Sequence, residues 1–149
     1  MNNAAILEPE TYEQLTIEQL VVDQLQVSTM QALPPAPFPR KYALSLFVDL
    51  QDARQAAQAL SAAGFAERDI YVLESRDFVE AVAQDQSALN IVTSIDHDVY
   101  QREASRGRTF LAVHLAGYAR LKQIRDLLAC HHAYFARYID TWTLTELLP

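Results

Sequence analysis

The chain contains little cysteine and little glycine, and each shortage excludes a class of function. Cys130 is the only cysteine, so neither an intramolecular disulfide nor a cysteine-rich metal site can form. The three glycines, Gly64, Gly107 and Gly117, stand too far apart to build a glycine-rich loop around a nucleotide phosphate. These shortages favour a protein of a reducing interior that lacks a nucleotide-binding loop.

Long apolar runs and a surplus of basic residues are also missing. No stretch of about 18 apolar residues occurs, as a membrane helix would require, and the N-terminus lacks the basic start and apolar core of a signal peptide. The formal net charge is −7, whereas affinity for a phosphate backbone comes from accumulated lysine and arginine. The sequence therefore predicts a cytoplasmic protein with no membrane span and no nucleic-acid partner.

The first 39 residues form a separate acidic region. They carry five acidic residues and no base, and residues 13–27 repeat a Glu/Asp-Gln-Leu pattern every five positions. A period of five spreads the repeated leucines around a helix, so a marginal helix or mobile arm is the simpler interpretation. The alternative is a partner-docking tail that uses Leu15, Leu20 and Leu25. Four prolines between residues 34 and 39 predict an extended linker, and the domain is expected over residues 40–149.

The domain begins with a strand, helix and strand pattern. Tyr42–Val48 alternates its side chains between two faces and has a strand-like composition. Asp52 is the predicted N-cap of the following helix, whose inner stripe is mostly alanine. Gly64 is predicted to end this helix by adopting a left-handed backbone conformation. Ile70–Leu73 is the next predicted strand.

The second unit is organised around the apolar run Gly107–Gly117. Both faces of this run are apolar, so we expect a strand inside a sheet with cover on both sides. The helix that follows is expected to start at Tyr118 and to bury it, and Tyr134–Thr141 is the closing strand. Thr143 is predicted to cap a last helical turn over Leu144–Leu148.

An insertion of about residues 76–106 separates the two units. Ser75 is predicted to cap a short helix with three inward residues, and a longer helix is predicted from about residue 87 to 106. The inward residues are Phe78, Val79 and Val82. Two β-α-β units specify the α+β class and a ferredoxin-like sandwich, with four antiparallel strands and two helices on one face. The second face would be covered by the inserted helices or by another subunit.

Three segments lie where the predicted elements of the first unit begin or end. They are Phe47-Val48-Asp49 before the alanine-rich helix, Ala63-Gly64-Phe65, and Asp69-Ile70-Tyr71-Val72-Leu73. Together with the closing aromatic segment Tyr138–Thr143, they resemble the bacterial general-stress-protein domain, the heat-induced stress protein or YflT-like group. The resemblance covers about residues 42–146, and the chain departs from it at His132 and Asp140, where glycine is usual. It implies a small cytoplasmic domain tied to stress response, with no assigned reaction.

Arginine and histidine are the candidate binding side chains. Arg102, Arg106 and Arg108 surround a glycine and could contact a phosphate or carboxylate, although arginines at the end of a helix also offset its dipole. His114 lies on the central strand, where it is either a ligand contact or a sheet-face residue. The remaining histidines lack metal-ligand spacing, so no metal or cofactor is predicted. They are His97, His131 and His132.

No stretch carries a reaction signature, which favours a non-enzymatic module over an enzyme. The predicted function is a stress-related or regulatory protein-interaction module that self-associates as a homo-oligomer and docks a protein partner through residues 1–39. The alternative is a small-molecule or metal-binding sensor, or an enzyme, that uses an open sheet face with His114, Tyr71 or Trp142.

Overall fold

The computed structural model describes residues 33–35, 37–84, 97–140 and 143–149, which belong to a compact unit spanning Leu33–Pro149. The strands are β1 (Tyr42–Phe47), β2 (Ile70–Leu73), β3 (Thr109–His114), β4 (Phe135–Ile139) and β5 (Leu144–Leu148). The helices are α1 (Leu50–Ala62), α2 (Ser75–Ala83), α3 (His97–Ser105) and α4 (Leu121–Cys130), and Glu67–Asp69 forms a 3-10 turn before β2.

The strands form one antiparallel sheet in the order β2-β3-β1-β4-β5. The predicted α+β class is confirmed, but the prediction of four strands is wrong because β5 adds a fifth strand beside β4. Strands β3 and β1 each have a neighbour on both sides. Their register places Ser45 opposite Leu111, and the buried Ser45 hydroxyl donates to the Leu111 carbonyl at 3.2 Å.

Helices cover both faces of the sheet. On the first face, α1 and α4 pack Leu60 and Ile124 against β-strand side chains such as Leu111. On the second face, α2 and α3 pack against the alternate side chains, and the Phe78 ring stacks on Phe110 with centroids 3.8 Å apart. The inserted helices thus cover the face that was expected to need either helices or another subunit.

The glycine that ends α1 behaves as predicted, whereas the predicted N-caps do not. Gly64 has a φ of 101°, and the Phe65 N–H bonds to the Leu60 carbonyl at 3.1 Å. Helix α1 is capped by Asp49, whose Oδ1 accepts from the Asp52 N–H at 2.9 Å, so Asp52 lies inside the first turn. The Ser75 hydroxyl does not cap α2, because it donates to the Arg108 carbonyl at 2.7 Å and ties α2 to the start of β3.

Two residues that were predicted to be buried are exposed. Val79 is 54% exposed because α2 buries Phe78, Ala81 and Val82, which share one helical stripe, and Val79 lies outside that stripe. Tyr118 is 51% exposed because α4 begins three residues later, at Leu121. The Tyr118 hydroxyl instead donates to the Asp140 carboxylate at 2.5 Å.

The predicted helical turn over Leu144–Leu148 is wrong, since these residues form strand β5. Strand β4 would otherwise present unpaired N–H and C=O groups along its outer edge. The Arg137 side chain fastens β5 to β4, donating from Nη1 to the Leu148 carbonyl at 2.5 Å and pairing from Nη2 with Glu146 at 3.5 Å. Long-range pairing therefore overrides the local capping pattern.

The proline-rich segment contributes to the core. Phe38 is fully buried, and its ring meets Tyr42 and Phe78 edge-on with centroids 5.0 and 6.0 Å away. Leu33 packs against the same cluster. The expected linker thus supplies part of the second-face core.

Several predictions fall outside the described residues. They concern the docking leucines Leu15, Leu20 and Leu25, residues 87–96 of the longer predicted helix, and Trp142. Among the helices of the described part, none is long and apolar enough to cross a membrane.

Candidate functional site

The three candidate arginines lie together where α3 ends and β3 begins. Arg102 and Arg106 are four residues apart and so lie on the same side of the helix end. Gly107, with a φ of 75°, reverses the chain, and the Arg108 N–H bonds to the Glu103 carbonyl at 3.1 Å. Positive charge at this point is also favoured by the negative end of the helix dipole.

The side chains of these arginines converge on Glu103, which is only 5% exposed. The shortest nitrogen-to-carboxylate distances are 3.6 Å from Arg102, 3.4 Å from Arg106 and 3.8 Å from Arg108. From the turn before β4, the Tyr134 hydroxyl donates to Glu103 Oε1. We call these five residues the arginine cluster.

The arginine cluster has a surplus of positive charge and of donors. Three guanidinium groups face one carboxylate, so the formal charge of the cluster is +2. Each guanidinium carries five N–H donors, many more than the two oxygens of Glu103 can accept. Arg102 and Arg106 are about half exposed and Arg108 is 30% exposed, so these donors can also reach solvent or a ligand.

A cavity of about 440 Å³ adjoins the arginine cluster. All five members of the cluster line it, and its apolar lining includes Leu46, Val99 and Phe135. This volume lies within the usual range for small-molecule sites. We call Leu46, Val99 and Phe135 the apolar floor of the cavity. The cavity therefore has both charged and apolar lining residues, a combination suited to an anion that carries an apolar group.

A larger cavity of about 700 Å³ lies between α2 and α3. Its lining is mainly apolar and includes Phe78, Val82 and Tyr100. Among the described residues that line it, no group of charges converges as around Glu103. The smaller cavity is therefore the better candidate for oriented ligand binding.

Tyr134 remains a phenol in the arginine cluster. Burial raises its pKa, and the hydrogen bond and negative charge of Glu103 raise it further, while Arg108 and Arg106 act in the opposite direction. Because the proton stays on Tyr134, the hydroxyl acts as a donor that holds Glu103 in place.

The sequence interpretation missed both Glu103 and Tyr134. An acidic residue between two arginines, three positions before Arg106, was a signal that the basic run had an internal counter-charge. No local pattern marked Tyr134, because it reaches the cluster only through the packing of the sheet.

The structure separates His114 from the arginine cluster. His114 lies at the far end of β3, is 46% exposed, and has its Nδ1 3.9 Å from Asp69 Oδ1. Its ring contacts Tyr42 edge-on with centroids 5.1 Å apart, and the Tyr71 ring also contacts Tyr42, with centroids 6.1 Å apart. Within the described ranges, no group of three or more His, Cys, Asp or Glu side chains could hold a metal ion.

Tyr42 should make the stability of the domain sensitive to alkaline pH. Burial raises its pKa to about 12, with smaller contributions from Tyr71 and Asp69. Since the unfolded phenol has a pKa of about 10, the folded state holds the proton more tightly. The stabilisation is complete below pH 10 and is lost by about 1.4 kcal/mol per pH unit as the pH rises towards 12.

Urea unfolding of the wild type and Tyr42→Phe between pH 9 and 12 measures this effect. The wild type should lose stability more steeply than the variant above pH 10. Parallel curves for the two proteins would contradict the assignment.

Comparison with known proteins finds no match to this chain among protein-family models, curated proteins or solved structures.

Proposed function

We propose that the described domain is a ferredoxin-like, non-enzymatic module that binds a small organic anion at the arginine cluster. The order β1-α1-β2 followed by β3-α4-β4, with β2-β3-β1-β4 as neighbours, supports the ferredoxin-like description. In this description, α2 and α3 are an insertion and β5 is an added edge strand.

The observation that carries the binding proposal is the surplus charge of +2 beside a partly apolar cavity. Hydrogen bonds from charged donors to an anion are stronger than those between neutral groups. The apolar floor provides additional affinity through burial of the organic part.

Binding is favoured over catalysis by the chemistry of the lining. Among the described residues that line this cavity, none is Ser, Cys, Lys or His. The function closest to this geometry is the ligand-binding alternative, located at the arginine cluster instead of an open sheet face. A stress-related role, self-association and docking through residues 1–39 stay predictions from the sequence.

Isothermal titration calorimetry at low ionic strength tests the proposal with acetate, benzoate, sulfate and phosphate. Low salt is required because screening weakens contacts of half-exposed charges. We expect saturable binding of at least one anion, and a loss of at least about tenfold in the double variant Arg102→Ala/Arg106→Ala, since each charge-assisted bond contributes about 1.5–3 kcal/mol.

Arg125→Ala is the matched control, because this partly exposed α4 arginine pairs with the neighbouring Asp126 and lies outside the cavity lining. The control should bind as the wild type does. Absence of binding by all four anions, or equal losses in the double variant and the control, would refute the proposed function.

A further inference from the structure

We propose that the ligand of the arginine cluster is a phosphate monoester, a compact dianion, and that monoanionic carboxylates are poor ligands. This inference rests on the proposed function and specifies the chemical class of its ligand. It is drawn from the amount of surplus charge, the concentration of that charge at one point, and the apolar floor.

The amount of charge matches a dianion. Arg102, Arg106 and Arg108 contribute three positive charges and Glu103 removes one. A monoanion would leave one positive charge uncompensated, whereas a dianion would neutralise the cluster. Because partly buried charges are screened less than exposed ones, this difference should appear as selectivity.

The surplus charge is concentrated in a small volume. Each of the three guanidinium groups has a nitrogen within 3.8 Å of one oxygen of the Glu103 carboxylate. A dicarboxylate carries its two charges at separate ends, so only one end could face this point. A phosphoryl group places both charges and three acceptor oxygens on one atom, which suits a convergent set of guanidinium donors.

The apolar floor favours an ester over free phosphate. Val99 and Phe135 lie beside the cluster in the cavity lining, and the half-exposed Val48 also lines the cavity. The substituent of a monoester can cover these side chains while its phosphoryl group faces the arginines. Free phosphate would leave them in contact with water.

The charge state of the ligand supplies the test. A phosphate monoester gains its second negative charge with a pKa of about 6. Among the described residues, the charged or titratable groups that line the cavity are the three arginines, Glu103, Tyr134 and the terminal carboxylate of Pro149. The arginines keep their charge throughout the pH range of interest, and Tyr134 stays protonated there. Sulfate remains a dianion over this range, so any change in its affinity reports a change in the protein itself.

The experiment is calorimetric titration of the full chain with phenyl phosphate, benzoate and sulfate at pH 5, 6, 7 and 8. At pH 8, phenyl phosphate should bind at least about tenfold more tightly than benzoate, a difference of about 1.4 kcal/mol. Between pH 7 and pH 5 its affinity should fall about tenfold, following the loss of its second charge, while the affinity for sulfate stays nearly constant.

The Arg106→Gln variant reduces the surplus positive charge of the arginine cluster from two to one. Because Arg106 is half-exposed, the variant should still fold. The preference for phenyl phosphate over benzoate should shrink at least threefold in this variant and persist in Arg125→Ala.

Inorganic phosphate and succinate are titrated as two further ligands. If inorganic phosphate binds as tightly as phenyl phosphate, the inference that the ligand is an ester is wrong. If succinate binds more tightly than phenyl phosphate, the inference that both charges lie on one compact group is wrong.

The failures of the two proposals are distinguishable. If no anion binds, both fail. If anions bind at the arginine cluster but benzoate equals phenyl phosphate, or the affinity of phenyl phosphate does not change with pH, only the phosphate-monoester inference fails.

Discussion

Phe38→Ala is expected to lower the free energy of unfolding by about 3–5 kcal/mol, although the residue lies in a stretch with the composition of a linker. The side chain is fully buried and contacts Tyr42 and Phe78 through edge-on ring packing. Truncation would leave a cavity at the place where the entering chain, β1 and α2 meet. The midpoint of thermal unfolding should fall by about 10–20 °C.

Urea and thermal unfolding followed by circular dichroism measure this change. Val48→Ala is the control, because Val48 is 57% exposed and its truncation should cost less than about 0.5 kcal/mol. A loss below about 1 kcal/mol for Phe38→Ala would show that Phe38 is not an integral part of the second-face core. A truncated chain that begins at residue 40 should be destabilised in the same way.

Glu103→Ala is expected to destabilise the domain by about 2–3 kcal/mol. The carboxylate is the counter-charge for three arginines and the acceptor for Tyr134, and hydrogen bonds to charged groups contribute about 1.5–3 kcal/mol. The cost stays below the value for a fully buried ion pair because Arg102 and Arg106 are about half exposed and can be hydrated.

Salt provides a second readout for this variant. Without Glu103 the guanidinium groups repel one another, so 0.5 M NaCl should restore part of the stability of Glu103→Ala. Glu103→Gln, which keeps an acceptor for Tyr134, should lose less than Glu103→Ala. Glu80→Ala is the control at an exposed position of α2. If Glu103→Ala and Glu80→Ala lower the free energy of unfolding equally, Glu103 is not the stabilising counter-charge of the arginine cluster.

Features of the fold that depend on neighbouring residues could be predicted from the sequence. The apolar side chains on both faces of β3 match its burial, and β1 is likewise buried along its whole length, because an interior strand is covered on both faces. The stop at Gly64 and Phe65 was also predictable, since a left-handed residue after a helix is a local requirement.

Features that depend on distant residues were not predictable. Strand β5 has a local capping pattern, but the open edge of β4 and the reach of Arg137 decide its conformation. Phe38 follows prolines, and only the packing of Tyr42 and Phe78 against its ring shows that it is buried. Likewise, Arg102, Arg106 and Arg108 were identifiable as a group, whereas Tyr134 joins them only once β4 is placed.

The sheet of this domain is shared by two cores. Neighbouring residues of one strand, such as Ala43 and Leu44, point to opposite faces and enter different clusters. Loosening either pair of helices therefore exposes side chains on the same backbone whose hydrogen bonds support the other pair. The two halves cannot melt independently, so the domain should unfold as one cooperative unit, and a substitution in either core lowers the stability of both.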